Sequence, residues 1–266
     1  MQKNGETSAL PVVQVISLQR TPQRRERFVE QNRGLAFAFF DAVDGSRVTR
    51  DHPGIRRLVP PGLQFYTAGA VGVALSHLTL WQRAERDNAV MTIAEDDAIL
   101  RHDFYPRMQE TIAGLPQDWD LIMWGWNFDS ILSLHEMPNI TTAVVNFDQE
   151  RLRASIPAFQ ALDTPVHALR LGKCFGTCGY SISPSGARRF RENCFPLRNS
   201  SVYFPGLNQF VAANGIDIAM NAIYPLSRSF VCFPPLVVSR NEHAESTTLR
   251  SPPAQPAAGT PGSSSP

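Results

Sequence analysis

The run Val12-Val13-Gln14-Val15-Ile16-Ser17-Leu18 passes, through two polar residues, into Thr21-Pro22 and a charged stretch that stops near Gly34. A strand this apolar needs cover on both faces, and a helix that returns over it at once supplies that cover. Thr21 is predicted to cap this helix, with Pro22 in its first turn, where a missing N–H costs nothing. The alternation recurs. Phe37 to Phe40 reads as a second strand that ends in the turn Asp41-Ala42-Val43-Asp44-Gly45. From Ala70 to Arg86, Val71, Leu75, Leu78 and Trp81 recur at three- and four-residue steps, which predicts an amphipathic helix, and Val90 to Ala94 follows it as a strand. Asp103 is expected to cap a helix to about Ala113, before a strand at Asp120–Trp124. Such alternation specifies an α/β fold: a mostly parallel central sheet flanked by helices.

Beyond Trp124 the pattern weakens. The connection from Gly125 to Lys173 is long and poorly patterned, which predicts a functional loop system. A strand is expected at Gly179–Ile182, then a helix capped by Ser183 with Pro184 at its first position. Helical stretches are expected around Leu207–Ala213 and Asp217–Ala222. The last apolar run, Phe230 to Val238, holds Pro234 and Pro235 and so predicts an edge or irregular strand. Ser251 to Pro266 contains only Ser, Pro, Ala, Gln, Gly and Thr, too little apolar surface to offset ordering, so residues 249–266 are expected to be a disordered tail. Residues 1–10 are expected to be a flexible N-terminus, leaving one domain over 11–248.

Twenty-five basic residues face 24 acidic ones, a formal net charge of +1. Nucleic-acid binding normally shows as a basic excess, so no nucleic-acid partner is expected. No stretch approaches the roughly 20 apolar residues that span a bilayer, and the first ten residues are polar, which leads to a cytoplasmic expectation. Cys174, Cys178, Cys194 and Cys232 fit neither a zinc knuckle nor a redox pair and are expected to be reduced structural thiols. The chain lacks the glycine fingerprint of a dinucleotide fold, the phosphate loop of P-loop ATPases and the nucleophile elbow of hydrolases.

The feature with most chemical content is Glu95-Asp96-Asp97, three carboxylates at the end of an apolar strand. Open α/β sheets bind ligands beyond the carboxyl ends of their strands. Adjacent like charges are costly unless a cation or donors compensate. Strand alternation would point Glu95 and Asp97 to one face and Asp96 to the other. A hard divalent cation held by one or two carboxylates, with phosphates completing its shell, fits that arrangement; a solvated turn is the plainer alternative. His77, on the helix beside Ser76, could pack in the core or orient a carboxylate. His243 follows the last strand among polar residues, where a solvated loop is the default. Gly176-Thr177-Cys178-Gly179-Tyr180 resembles a phosphate cradle only loosely, and close backbone packing is the simpler use of its glycines.

Several segments together resemble glycosyltransferase family 25, which includes lipopolysaccharide sugar transferases and collagen galactosyltransferases. They are Val15-Ile16-Ser17-Leu18-Gln19-Arg20, Ala42-Val43-Asp44-Gly45, Gly72-Val73-Ala74-Leu75-Ser76-His77 through Trp81, Thr92 to Ala98, Gly176 to Ser183, and Phe233-Pro234-Pro235-Leu236-Val237. Ser17 and Gln19 stand where the family usually has Asn and Asp, and Val73 where it has Cys. The resemblance implies a GT-A-like single domain and a metal-dependent inverting transferase moving a hexose, galactose foremost, from a UDP-sugar to a saccharide such as lipopolysaccharide core. It implies that Ser17, Arg20, Arg24, Asp44, Ser76, His77, Glu95 and Asp96 hold the donor. Asp97, Glu95 and His243 would hold manganese, or magnesium in its place. Asp217 would be base or acceptor ligand, a helix cap being the alternative. A lipid-linked acceptor would bring peripheral membrane contact. The rival functions are a nucleotide-sugar binder that has lost transfer and a carboxylate-pair glycoside hydrolase.

Overall fold

The computed structural model describes residues 12–242. The predicted N-terminal and C-terminal tails, and His243, lie outside the described residues.

The first half follows its local signals closely. Strand β1 (Val13–Ser17) leads into helix α1 (Pro22–Gln31), which buries Phe28. Thr21 occupies the cap position without capping through its side chain; its hydroxyl donates back to the Leu18 carbonyl at 3.0 Å. Strand β2 (Phe37–Asp41) and the short helix α2 (Pro53–Arg56) follow. Helix α3 (Ala68–Asp87) starts two residues before the periodic pattern, because Thr67 accepts from the Ala70 amide, and stops where Asn88 turns left-handed at φ 45°. Strand β3 (Met91–Glu95) turns at Asp96-Asp97 into β4 (Ala98–Leu100). Helix α4 (Phe104–Ala113) begins after Asp103, which pairs with Arg101 and Arg107 instead of capping. Strand β5 (Leu121–Gly125) closes this half.

The second half departs from expectation in three places. The 125–173 connection is not plain loop: it carries β6 (Leu132–Leu134), β7 (Ala143–Val145), α5 (Gln149–Ala154), α6 (Ile156–Gln160) and β8 (His167–Lys173). Three-residue strands are too short to show a period. After β9 (Gly179–Ile182), helix α7 (Pro184–Cys194) starts as predicted, with Ser183 Oγ accepting from the Gly186 amide at 3.0 Å. The expected helix at 207–213 is instead the second strand of a hairpin, β10 (Ser201–Phe204) and β11 (Gln209–Ala212), because Asn208 is left-handed at φ 50° and Val202 and Phe204 turn inward. Helix α8 (Ile216–Met220) matches expectation. The last apolar run is irregular, as expected, breaking at Pro234-Pro235 into β12 (Ser229–Phe233) and β13 (Val237–Ser239), but β12 is central rather than an edge, since its ladder ends before Pro234, and β13 pairs with β4.

These strands form a nine-stranded sheet in the order β2-β1-β3-β9-β5-β12-β8-β6-β7. The α/β expectation holds, and the sheet is mixed. The β1–β2, β1–β3 and β5–β12 pairs are parallel; the other five are antiparallel, because β9, β8 and β7 run against the common direction. One face packs α3 and α7 through Trp81, Leu78 and Phe190, and the other packs α1 and α4 through Phe28, Phe104 and Met108. The turn at Gly45 lies directly on α3: a Cβ on Gly72 would stand 2.4 Å from the Val43 carbonyl oxygen, so only glycine permits this approach. Among the described residues no helix is long and apolar enough to cross a membrane. All four cysteines are free and buried, as expected.

Candidate active site

A cavity of about 480 Å³ opens at the carboxyl ends of β1 and β3. Ser17 ends β1, Glu95 ends β3, and the Asp44 turn follows β2. Because β9 runs antiparallel between β3 and β5, the residues just before it, Gly176 and Thr177, reach the same edge. Asp217 arrives from the first turn of α8. Of the residues expected to hold the donor, Ser17, Arg20, Arg24, Asp44, Glu95 and Asp96 line the cavity, and so do Asp97 and Asp217.

The three consecutive acids have three different environments. Glu95 accepts from Thr177 Oγ1 at 2.5 Å, and burial, reinforced by the charge of Asp97, pushes its carboxyl up to about 8. Asp96 is closed off: Ser17 Oγ donates to Oδ2 at 2.7 Å, and the Arg24 guanidinium grips Oδ1 through Nε at 2.7 Å and through Nη2. It therefore acts as a bolt between β1, α1 and β3 rather than as an open ligand. Asp97 accepts from Ser239 Oγ at 3.0 Å through Oδ2, whereas its buried Oδ1 has no hydrogen-bond partner among the described residues, and burial raises its carboxyl above the ordinary range. The simple alternation of faces expected for 95–97 fails after Glu95, where the strand ends in a turn; all three acids border one cavity.

Asp217 Oδ2 accepts from the Gly176 amide at 3.0 Å, and burial raises this carboxyl too. Arg20 is half exposed at the rim, its Nε 3.0 Å from Asp44 Oδ2; the other oxygen of Asp44 takes the Ser46 amide and hydroxyl. The two departures at the first strand have local uses, since Ser17 holds Asp96 and Gln19 donates to Asp41 at 2.7 Å.

Ser76 and His77 require correction. Neither lines the cavity; both are fully buried in α3. Ser76 Oγ accepts from the Val43 amide at 2.8 Å and so fastens the Asp44 turn to the helix. His77 Nδ1 meets the Tyr180 hydroxyl at 2.8 Å, and Trp81 Nε1 donates to that hydroxyl at 2.7 Å. An indole can only donate, so the Tyr180 oxygen accepts from Trp81, which leaves the phenol's own proton for Nδ1 of a neutral His77 whose buried Nε2 has no partner among the described residues. Burial agrees, holding this imidazole down to about 3.

Among the described residues no three acid, histidine or cysteine side chains converge on one metal position. The fit to a divalent cation is instead that of a half-built site: the orphaned Oδ1 of Asp97 and the Glu95 carboxylate are hard oxygen donors, with the remaining positions left to a ligand. Sequence reasoning passed over Thr177, Asn127 and Ser239. Thr177 stood in the glycine segment read as packing; Gly176 is indeed packed, its φ of +76° and a Cβ position 2.3 Å from Asn127 Oδ1 admitting only glycine.

The family model described as "Glycosyltransferase family 25 (LPS biosynthesis protein)" matches residues 11–201. That span contains the three acids and Thr177, while Asp217 and Ser239 lie beyond it. The chain is 29% identical over 200 residues to the Bos taurus "Probable inactive glycosyltransferase 25 family member 3", covering 69% of this chain and 29% of that protein. It is 34% identical over 126 residues to the Homo sapiens "Inactive glycosyltransferase 25 family member 3", covering 42% and 21% respectively. With Mus musculus "Procollagen galactosyltransferase 2" it shares 23% identity over 190 residues, 66% of this chain and 26% of that protein. The match thus spans about a quarter of the length of these relatives. With the motif-bearing turns, the helix of Ser76 and the acid cluster all within the matched span, the chain belongs to glycosyltransferase family 25.

Proposed function

We propose that this chain is a metal-dependent inverting glycosyltransferase that moves a hexose, galactose foremost, from a UDP-sugar to a saccharide acceptor such as lipopolysaccharide core. The observation that carries the reading is the meeting of Glu95, Asp97 and Asp217 at one cavity on the carboxyl edge of the sheet, with one Asp97 oxygen buried and without a partner among the described residues. Asp97 and Glu95 are the residues that would hold manganese or magnesium. When bound, such a cation offsets charge on a departing diphosphate. The Ser17–Asp96–Arg24 cluster keeps the turn after β3 in place, and Arg20 at the rim offers a guanidinium to an anionic donor. Asp217 is the base: its raised carboxyl pKa suits proton uptake from an acceptor hydroxyl.

Calorimetric titration of UDP-sugars with and without manganese, followed by donor hydrolysis and transfer assays, tests the reading. Expected are manganese-dependent binding and turnover; Asp97→Ala abolishes both, whereas Asp217→Asn binds donor but loses transfer by about 100-fold or more. An Asp97→Ala variant with full sugar turnover refutes it. A second reading, a nucleotide-sugar binder without transfer, draws support from the word "inactive" in the names of the bovine and human relatives. Manganese-dependent binding with no turnover of any donor would decide for it.

A further inference from the structure

Asn221 takes no part in the cavity wall, yet it makes more directed bonds than its position at the end of a five-residue helix requires. It is fully buried. Its Oδ1 accepts from the Cys174 amide at 2.9 Å, and its Nδ2 donates to the Cys174 carbonyl at 2.7 Å and to the Asp217 carbonyl at 2.8 Å. The carboxamide thus reads both polar groups of one backbone residue, as a neighbouring strand would, while holding a second residue four positions back in its own helix. Lys173 Nζ donates to the Asn221 carbonyl and adds a further tie on the same side.

A helix this short has no rigidity of its own, because one turn does not offset the entropy of nucleation. The position of Asp217 is therefore set by tertiary contacts: the burial of Ile216, Ile218 and Met220, and hydrogen bonds. Three of these bonds run to one segment: Asn221 exchanges two with Cys174, and Asp217 Oδ2 takes the amide of Gly176, two residues on. The next residue, Thr177, donates to Glu95. We propose that Asn221 is the positioning residue of this site, a clamp that locks α8 to the 174–177 segment and so fixes Asp217 relative to Glu95. The role in transfer rests on the function proposed above; the clamp itself does not.

The test uses Asn221→Asp, which keeps the shape but loses both N–H donors and sets a carboxylate against two carbonyl oxygens, and Asn221→Ser as a milder variant. Three quantities are read on the full chain: amide hydrogen exchange at Gly176, donor affinity by calorimetry with manganese, and kcat per folded molecule. Exchange at Gly176 is expected to quicken about tenfold or more while the amides of Leu121–Met123 keep the parent rate. Donor affinity stays within about threefold, and kcat falls about 10- to 100-fold, the scale of a misplaced reacting group. A uniform rise in exchange with kcat per folded molecule unchanged would mean a merely structural asparagine and would overturn the proposal. So would a fall in kcat with Gly176 exchange unaltered, or faster exchange at Gly176 with undiminished kcat. If the parent turns over no donor, the transferase reading fails by itself, and Gly176 exchange still decides whether the clamp exists.

Discussion

Removing one buried oxygen, by Tyr180→Phe, tests the reassignment of His77 from ligand contact to core. Tyr180 is fully buried on β9, with its hydroxyl 2.7 Å from Trp81 Nε1 and 2.8 Å from His77 Nδ1. Phenylalanine fills the same space and leaves no cavity beyond the hydroxyl itself. It strands two groups in a dry interior: an indole N–H without an acceptor and an imidazole nitrogen without a donor. Each buried group left unpaired costs about 1–3 kcal/mol, so a loss of about 2–6 kcal/mol is expected. For a chain of this size that corresponds to roughly 10 °C in Tm. Urea unfolding followed by circular dichroism and tryptophan fluorescence gives the free energy, since Trp81 sits beside the change. Adding Trp81→Phe removes the stranded indole donor but opens a cavity of its own in the core, so the expected outcome is a double variant that loses less than the sum of the two single variants. A single-variant loss under about 1 kcal/mol would refute the reasoning, since it would mean that water or another group satisfies both atoms.

Two further outcomes follow from the same packing. Gly72→Ala inside a helix would ordinarily stabilise by up to about 1 kcal/mol, but here the new methyl meets the Val43 oxygen at 2.4 Å and the Gly45 nitrogen at 2.6 Å. Backbone must yield, so a lower Tm is expected by calorimetry; an unchanged or higher one would show that the turn does not rest on α3. Folded His77 takes no proton until about pH 3, whereas the unfolded chain takes one near 6.5. The unfolded state binds the extra proton between those values, so this residue's contribution is complete above about pH 6.5 and shrinks as pH falls. Relative to His77→Asn, the parent is expected to lose about 1.4 kcal/mol per pH unit between pH 6 and 4 in urea unfolding, and parallel curves would contradict it.

Local sequence determined the first half of the chain almost by itself. Strand β1, helix α3 and strand β3 each bury a continuous face, and burial of a face writes itself into the residues that form it, while helix α1 announced itself by Pro22 in its first turn. The acid triplet was legible for the same reason: carboxylates at the end of an apolar strand mark the edge where ligands bind. Tertiary structure decided what the triplet does. Only the insertion of β9 against β3 brings Thr177 to Glu95 and Gly176 to Asp217. Only the approach of α1 commits Asp96 to Arg24 and leaves Asp97 Oδ1 open, and only the pairing with Tyr180 turns His77 into the core. A residue's period reports that it is buried; which distant residue meets it depends on strand order, and no local pattern encodes that.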